Sequence, residues 1–185
     1  MAKLGGEIAS TLRDGREVRV RTAQARDARP LRELLDGVAA EPEVTLLVLP
    51  GQVDARTWRR RIIDSAADPR SILLTAVVGG ELAGNLGLRP DPHPCSAHVA
   101  WVGMSVAAPW RGLGVGGALL EAAAGWAAAH QVDKLVLSVF PHNARAVRFY
   151  EHQGFVREGL RRAHFRRAAE YHDEVLMARF LTTPL

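Results

Sequence analysis

The stretch from Met104 to Gly117, MSVAAPWRGLGVGG, constrains this chain more than any other, because a β-type run enters a glycine-rich turn that opens a helix. Gly112, Gly114, Gly116 and Gly117 let the backbone approach a ligand closely. The first N–H groups of the helix that follows have no partner within it. Those donors, together with the positive end of the helix dipole, suit an anionic group such as a phosphate.

The 185 residues suffice for one domain with a real core and are too few for two ordinary ones. The expected division is an N-terminal extension, 1–16, and a single domain, 17–182. No apolar run nears the ~20 residues of a spanning helix, and the polar start lacks the pattern of a signal peptide. A cytoplasmic protein without membrane contact is expected. The one cysteine, Cys95, excludes an intramolecular disulfide and a cysteine-based zinc site. Its Pro-rich surroundings fit a loop position better than a nucleophile. The seven histidines share no ligand spacing on one element, so no metal is expected. The formal charge is +4, and the cations are overwhelmingly arginine. Arginine grips phosphate or carboxylate through a planar fork. Net charge alone does not make a nucleic-acid binder, and no aromatic-basic motif supports one, so no nucleic-acid partner is expected.

Periodicity orders the elements. Val18 and Val20 alternate with arginines as in a half-buried strand, and Asp27 offers an N-cap to a helix whose apolar face is Leu31, Leu34, Leu35 and Val38. Glu41 to Val53 reads as an apolar loop bounded by prolines. Asp54 caps a second helix with Trp58, Ile62 and Ala66 at a spacing of four. Ser71–Val78 and Glu81–Leu88 flank Gly79-Gly80, a strong hairpin signal. A long strand, Ala97–Val106, leads into the glycine turn and a helix carrying Val115, Leu119, Ala122 and Trp126 on one face. Lys134–Phe140 is the strand that returns parallel through this crossover. A short helix, Asn143 to Gln153, is ended by Gly154. Phe155–Arg162 and Tyr171–Phe180 form a final antiparallel pair. The sum is a single α/β domain of mixed sheet: mostly antiparallel, with one parallel crossover and flanking helices.

Three kinds of phosphate site compete for the glycine turn. Gly112, Gly114 and Gly117 satisfy G-x-G-x-x-G, yet a dinucleotide fold wants an acidic residue at the end of the next strand. Asp133 precedes that strand, and a long stretch of antiparallel sheet and helix precedes the turn. A P-loop fails because Ala118 and Leu119 stand where Lys and Ser/Thr are required. The third site fits the whole window. RGLGVG, Arg111–Gly116, matches Q/R-x-x-G-x-G/A after a strand ending in MSV, and NARAVRFYEHQGF follows from Asn143 to Phe155. Together these resemble the two linked signatures of the GNAT superfamily of N-acetyltransferases, most closely its small bacterial members, and element order agrees from about Val18 to Phe180.

The resemblance implies that acetyl-CoA is the co-substrate and lies where the strand ending at Val106 splays from the strand Lys134–Phe140. Splayed strands leave ladder groups unpaired. The Met104-Ser105-Val106 backbone would then bond the pantetheine arm, and the turn Gly112, Leu113, Gly114, Val115, Gly116, Gly117 and Ala118 would wrap the pyrophosphate. Arg111 would add a charge-assisted contact or face solvent. Asn143 would reach the pantetheine arm or serve only as an N-cap, with Ala146 and Arg148 near the adenosine end. Tyr150 matches the family tyrosine whose hydroxyl protonates, or bonds to, the departing thiolate, unless it is only core.

The base is less clearly marked. Many family members carry Glu on the strand before Val106, where this chain has Ala100 and Trp101. His98 is the substitute on that strand, and Glu41, Glu43 and Glu174 are further candidates. The acceptor pocket implied by the family comprises Glu41–Val53 and Arg161–Tyr171. The arginines of the latter favour an amine that also bears a carboxylate or phosphate, such as an amino acid, and a peptide N-terminus is open too. A non-catalytic acyl-CoA-binding module on the same fold is the alternative to an enzyme. Exposed sheet edges would permit a homodimer.

Overall fold

A computed structural model of the chain describes residues 4–41, 48–167 and 169–182. Its strands are β1 (Ile8–Thr11), β2 (Glu17–Thr22), β3 (Ile72–Val78), β4 (Glu81–Pro90), β5 (Val99–Val106), β6 (Lys134–Val139), β7 (Val156–Arg167) and β8 (Glu170–Phe180), and its helices are α1 (Ala28–Ala39), α2 (Ala55–Ala67), α3 (Val115–Ala129) and α4 (Ala144–His152). The strands form one eight-stranded sheet in the order β1-β2-β3-β4-β5-β6-β8-β7. All pairings are antiparallel except β5 with β6, the crossover made by α3.

Side-chain alternation places a core on each face of the sheet. Val18, Val20, Leu74, Leu86, Leu135 and Met177 join Leu119, Leu120 and Trp126 of α3 and Tyr150 of α4 in the larger one. Leu73 faces the other way, into a smaller cluster with Leu31 and Leu35 of α1 and Trp58 and Ile62 of α2. The second face is covered by helices over β3 and β4, whereas β7 is exposed over most of its length.

Three local features differ from the sequence expectation, and one expected segment lies outside the described residues. Ile8–Thr11, within the stretch read as an extension, pair with β2 at the sheet edge, anchored by the buried Leu12. The last hairpin is longer than expected, with β7 running on to Arg167. Residues 42–47 of the Glu41–Val53 loop, including Glu43, lie outside the described residues. Asp54 caps α2 by accepting from the Thr57 N–H at 2.7 Å, but Asp27 makes no such bond to α1.

Asp27 instead accepts two bonds from the Arg21 guanidinium, at 2.7 and 2.9 Å, and one from the Gln24 N–H at 2.7 Å. The two side chains are only 12% and 7% exposed. Burial pushes the Asp27 carboxyl up, but the Arg21 and Gln24 donors outweigh it and hold the pKa below the ordinary carboxylate value. The unfolded chain then binds more protons than the folded one in acid. The pair's stabilisation is present above the unfolded carboxylate pKa and is lost as pH falls through the lowered one. Arg21→Ala leaves a buried carboxylate short of its donors. It is expected to cost about 2 kcal/mol at neutral pH, and urea titrations at pH 7 and pH 3 should show the difference from wild type shrinking in acid.

Candidate active site

The parallel contact of β5 with β6 is three pairs long: Val99↔Lys134, Ala100↔Leu135 and Trp101↔Val136. Beyond it each strand keeps its outer neighbour, β5 pairing with β4 to Gly84↔Val106 and β6 with β8 to Val139↔Val175. The sheet therefore opens between Val102–Val106 and Leu137–Val139. The direction of the β5 backbone groups follows from the ladder. Ala107 donates to the Ala83 carbonyl at 2.9 Å, and bonded and open pairs alternate along an antiparallel ladder. Met104 and Val106 therefore turn their N–H and C=O groups away from β4 and toward the gap, where the Val106 carbonyl is met by Arg111.

Helix α3 starts at the mouth of this gap. Gly114 is its N-cap with φ +111°, a conformation that L side chains rarely adopt. The first bond within the helix runs from the Ala118 N–H to the Gly114 carbonyl at 3.0 Å, so the N–H groups of Val115, Gly116 and Gly117 point out of the helix end. A Cβ at Gly117 would meet nothing within 4 Å, while one at Gly116 would stand 3.2 Å from the Phe149 ring and 3.6 Å from the Met104 methyl. Gly116 thus packs α3 against α4, whereas the space beside Gly117 is open. The β1–β2 turn buttresses the glycine loop: Arg13 donates its backbone N–H to the Leu113 carbonyl at 2.9 Å and its guanidinium to the Gly112 carbonyl at 3.3 Å. Arg13 carried no signal in the sequence, because only the fold brings it there.

Arg111 is held on the other side of the turn. Its Nε donates to the Val106 carbonyl at 2.8 Å, and its two terminal nitrogens grip the Glu41 carboxylate at the end of α1. Signature arginine and candidate base are therefore one ion pair, tying α1 to the tip of β5.

On the opposite wall Asn143 caps α4 by accepting from the Ala146 N–H at 3.1 Å, which leaves its NH2 group as the end able to meet a ligand. Ala146 is half-buried against the core and Arg148 is exposed. Tyr150 is 8% exposed, with Phe149 and Phe155 edge-on to its ring at 5.2 and 5.5 Å. Burial pushes its phenol up to about 12. A free thiol titrates near 8.5, so handing the phenolic proton outright to a thiolate would be uphill by roughly 5 kcal/mol. This environment suits a hydroxyl that stays protonated and donates a hydrogen bond.

The other base candidates are not gathered at this point. His98 is exposed and lies just before β5, its carbonyl accepting from Asp133 and Lys134 at 2.8 and 3.1 Å. That is the closed end of the V, and eight residues of extended chain separate it from Val106 by roughly 26 Å. Glu174 is only 4% exposed and lies one residue beyond the last β6–β8 pair toward the open end. It accepts from Arg161 at 3.0 Å and has the His164 Nε2 at 3.6 Å. Beside it Phe140 stacks on His142 at 5.2 Å and meets the edges of His172 at 5.6 Å and Phe165 at 6.0 Å. Sequence spacing gave no hint of this grouping, since its members come from three separate segments. Nor did it single out Thr75 and Asn85, which pair in sequence with Ser105 across β3, β4 and β5. Each buries a side-chain oxygen without a protein partner.

Among the described residues no group of His, Cys, Asp and Glu could hold a metal ion, and no helix is long and apolar enough to cross a membrane.

A sheet opened after three parallel pairs, with a helix N-terminus at the opening, is the arrangement that the resemblance to acyl-CoA-dependent acyltransferases implies. Residues 40–155 match the acetyltransferase (GNAT) family, and the chain belongs to that family as an acetyl-CoA-dependent N-acetyltransferase. It is 32% identical over 169 residues to the L-amino acid N-acetyltransferase AaaT of Escherichia coli K12, covering 88% of this chain and 98% of that protein. Its fold is shared with an acetyltransferase of the GNAT family from Streptococcus pneumoniae, at a TM-score of 0.81 and 24% identity over 89% of this chain and 99% of that one. It is shared too with a phosphinothricin acetyltransferase from Sinorhizobium meliloti in complex with acetyl-CoA, at a TM-score of 0.79 and 18% identity over 91% of this chain and 93% of that one.

Proposed function

We propose that the enzyme acetylates the α-amine of a free amino acid by direct attack within a ternary complex. The opening of the sheet between β5 and β6 carries this reading, because it offers one continuous edge to a linear thioester and leaves the other wall to the acceptor. The amino-acid class is supported by the Escherichia coli relative, an L-amino acid N-acetyltransferase, and by the arginines of the β7–β8 hairpin.

In this mechanism the outward N–H groups of Val115, Gly116 and Gly117 hold the pyrophosphate. The Met104 and Val106 backbone aligns the pantetheine arm as an added strand would, and the Asn143 NH2 group meets the arm from α4. The Val106 N–H polarises the thioester carbonyl. The neutral amine attacks the carbonyl carbon, an N–C bond forms, and the C–S bond breaks with its electron pair leaving on sulfur. The proton shed by the acetylated nitrogen neutralises the thiolate, while the Tyr150 hydroxyl stabilises the sulfur by a hydrogen bond. Holding both reactants in one gap supplies much of the rate.

Thiol release from acetyl-CoA, followed across the common L-amino acids, their amides and short peptides, tests this reading. Turnover with free amino acids and little with peptides is the expected result. Efficient acetylation of peptide N-termini alone would overturn it.

A further inference from the structure

We infer that Arg161 is the anchor for the acceptor's carboxylate, aimed by Glu174 and His164 through an irregularity in β7. The inference rests on the amino-acid reading above and names the residue that would enforce it.

The hairpin is not a regular ladder. Arg161 pairs with Glu174 and Phe165 with His172, so three residues of β7 face the single Asp173 of β8. The extra backbone turns through Ala163, whose φ is +48°, and the Ala163 N–H is secured by the Asp173 carboxylate at 2.7 Å. Bulges of this kind re-aim side chains. Here the bulge brings His164 and Arg161 together over Glu174, with the Arg161 terminal nitrogen NH1 3.3 Å from the His164 Nε2 and 3.0 Å from the Glu174 carboxylate. Glu174 is 5% exposed along its side chain and Arg161 is 44% exposed. A buried carboxylate thus fixes one corner of a guanidinium on a side chain that is itself partly exposed. With NH1 engaged, Nε and NH2 form the parallel pair of donors that a carboxylate accepts side by side.

The cluster also stands on the right side of the sheet. Val175 and Met177 pack into the core under α3 and α4, so Glu174, between Asp173 and Val175, faces the opposite surface. That is the face on which α1 ends at Glu41, beside the tip of β5. Continuing the β6–β8 register past Val139↔Val175 sets Glu174 level with Phe140, in the open half of the gap. An α-amino acid carries its carboxylate one carbon from the reacting nitrogen, so an acceptor whose amine meets the thioester would present the carboxylate to this wall.

The test compares each free amino acid that is a substrate with its amide, which lacks the negative charge and has a less basic α-amine, so the acid-to-amide ratio of each variant is read against that of the wild type, where the difference in basicity cancels. For the wild type, kcat/KM is expected to favour the acid. Arg161→Gln is expected to raise the acid KM about 30-fold, from the loss of a charge-assisted bidentate contact, with the acetyl-CoA KM unchanged and the acid-to-amide preference gone. Arg161→Lys, which keeps the charge but not the fork, should fall between. Glu174→Gln, acting through Arg161, should raise the acid KM without lowering kcat in proportion. Equal losses for acid and amide in the Arg161 variants, or no loss in either, would overturn the inference while leaving the amino-acid reading intact. A wild type that turns over no amino acid overturns both.

Discussion

Replacing Tyr150 with phenylalanine is expected to lower kcat about 100-fold and to leave the affinity for acetyl-CoA nearly unchanged. The ring stays in place, since Phe149 and Phe155 meet its edges and faces rather than its oxygen, and only a hydroxyl is removed. What disappears is the hydroxyl proposed to donate to the departing sulfur, an interaction of little use before charge gathers there. Such an interaction lowers kcat and kcat/KM together. Single-turnover acetyl transfer, with the dissociation constant measured separately by calorimetry, distinguishes the outcomes. A variant with wild-type kcat would remove Tyr150 from the chemistry and leave it as core. The direction of its titration sharpens the role: with the phenol pushed up to about 12, Tyr150 remains neutral through the working range, and no rate change between pH 6 and 9 should trace to it.

The second large effect falls on a residue that touches no ligand. A Cβ at Gly84 would stand 2.9 Å from the Ser105 carbonyl oxygen, 3.2 Å from Leu119 and 3.3 Å from Val106. Gly84 is paired with Val106 itself, so the absence of a side chain lets β4 support the end of β5 from below while α3 closes over both. Gly84→Val must either displace β5 or push α3 outward. Overpacking of this kind is expected to cost about 3 kcal/mol, and the displacement reaches the N–H proposed to polarise the thioester. A lower melting temperature together with a raised acetyl-CoA KM is the expected result. A stable variant with unaltered kinetics would show that β5 is positioned by something other than this contact.

Much of the fold around the glycine turn was readable from residues alone. The glycines after Val106, the parallel return at Lys134–Phe140 and the helix begun by Asn143 all rest on local rules: turn chemistry, β-branched runs and caps. Those rules act within a few residues, and the family match at 40–155 agrees with them. The acceptor side depends on contacts between distant segments. Glu41 and Arg111 are 70 positions apart and make one ion pair, and no periodicity announces it. The bulge at Arg162–His164 contains no glycine or proline to mark it. His98 shows the converse: it was near the right strand in sequence, yet strand length alone removes it from the opening. Asp27 had the composition of a helix cap, and a better partner, Arg21, took its carboxylate.

Only three pairs of residues make up the parallel ladder between the two halves of the sheet. One half comprises β1 to β5, the other β6, β8 and β7, and past Trp101 their facing edges no longer pair with each other. A molecule that filled this seam, as proposed for acetyl-CoA, would do the work of a missing strand, and recognition of the co-substrate and cohesion of the fold would share the same hydrogen bonds. Any ligand bound only by the native state adds to its stability in proportion to the logarithm of its concentration. The resistance of this enzyme to unfolding is thereby tied to the supply of acetyl donor around it.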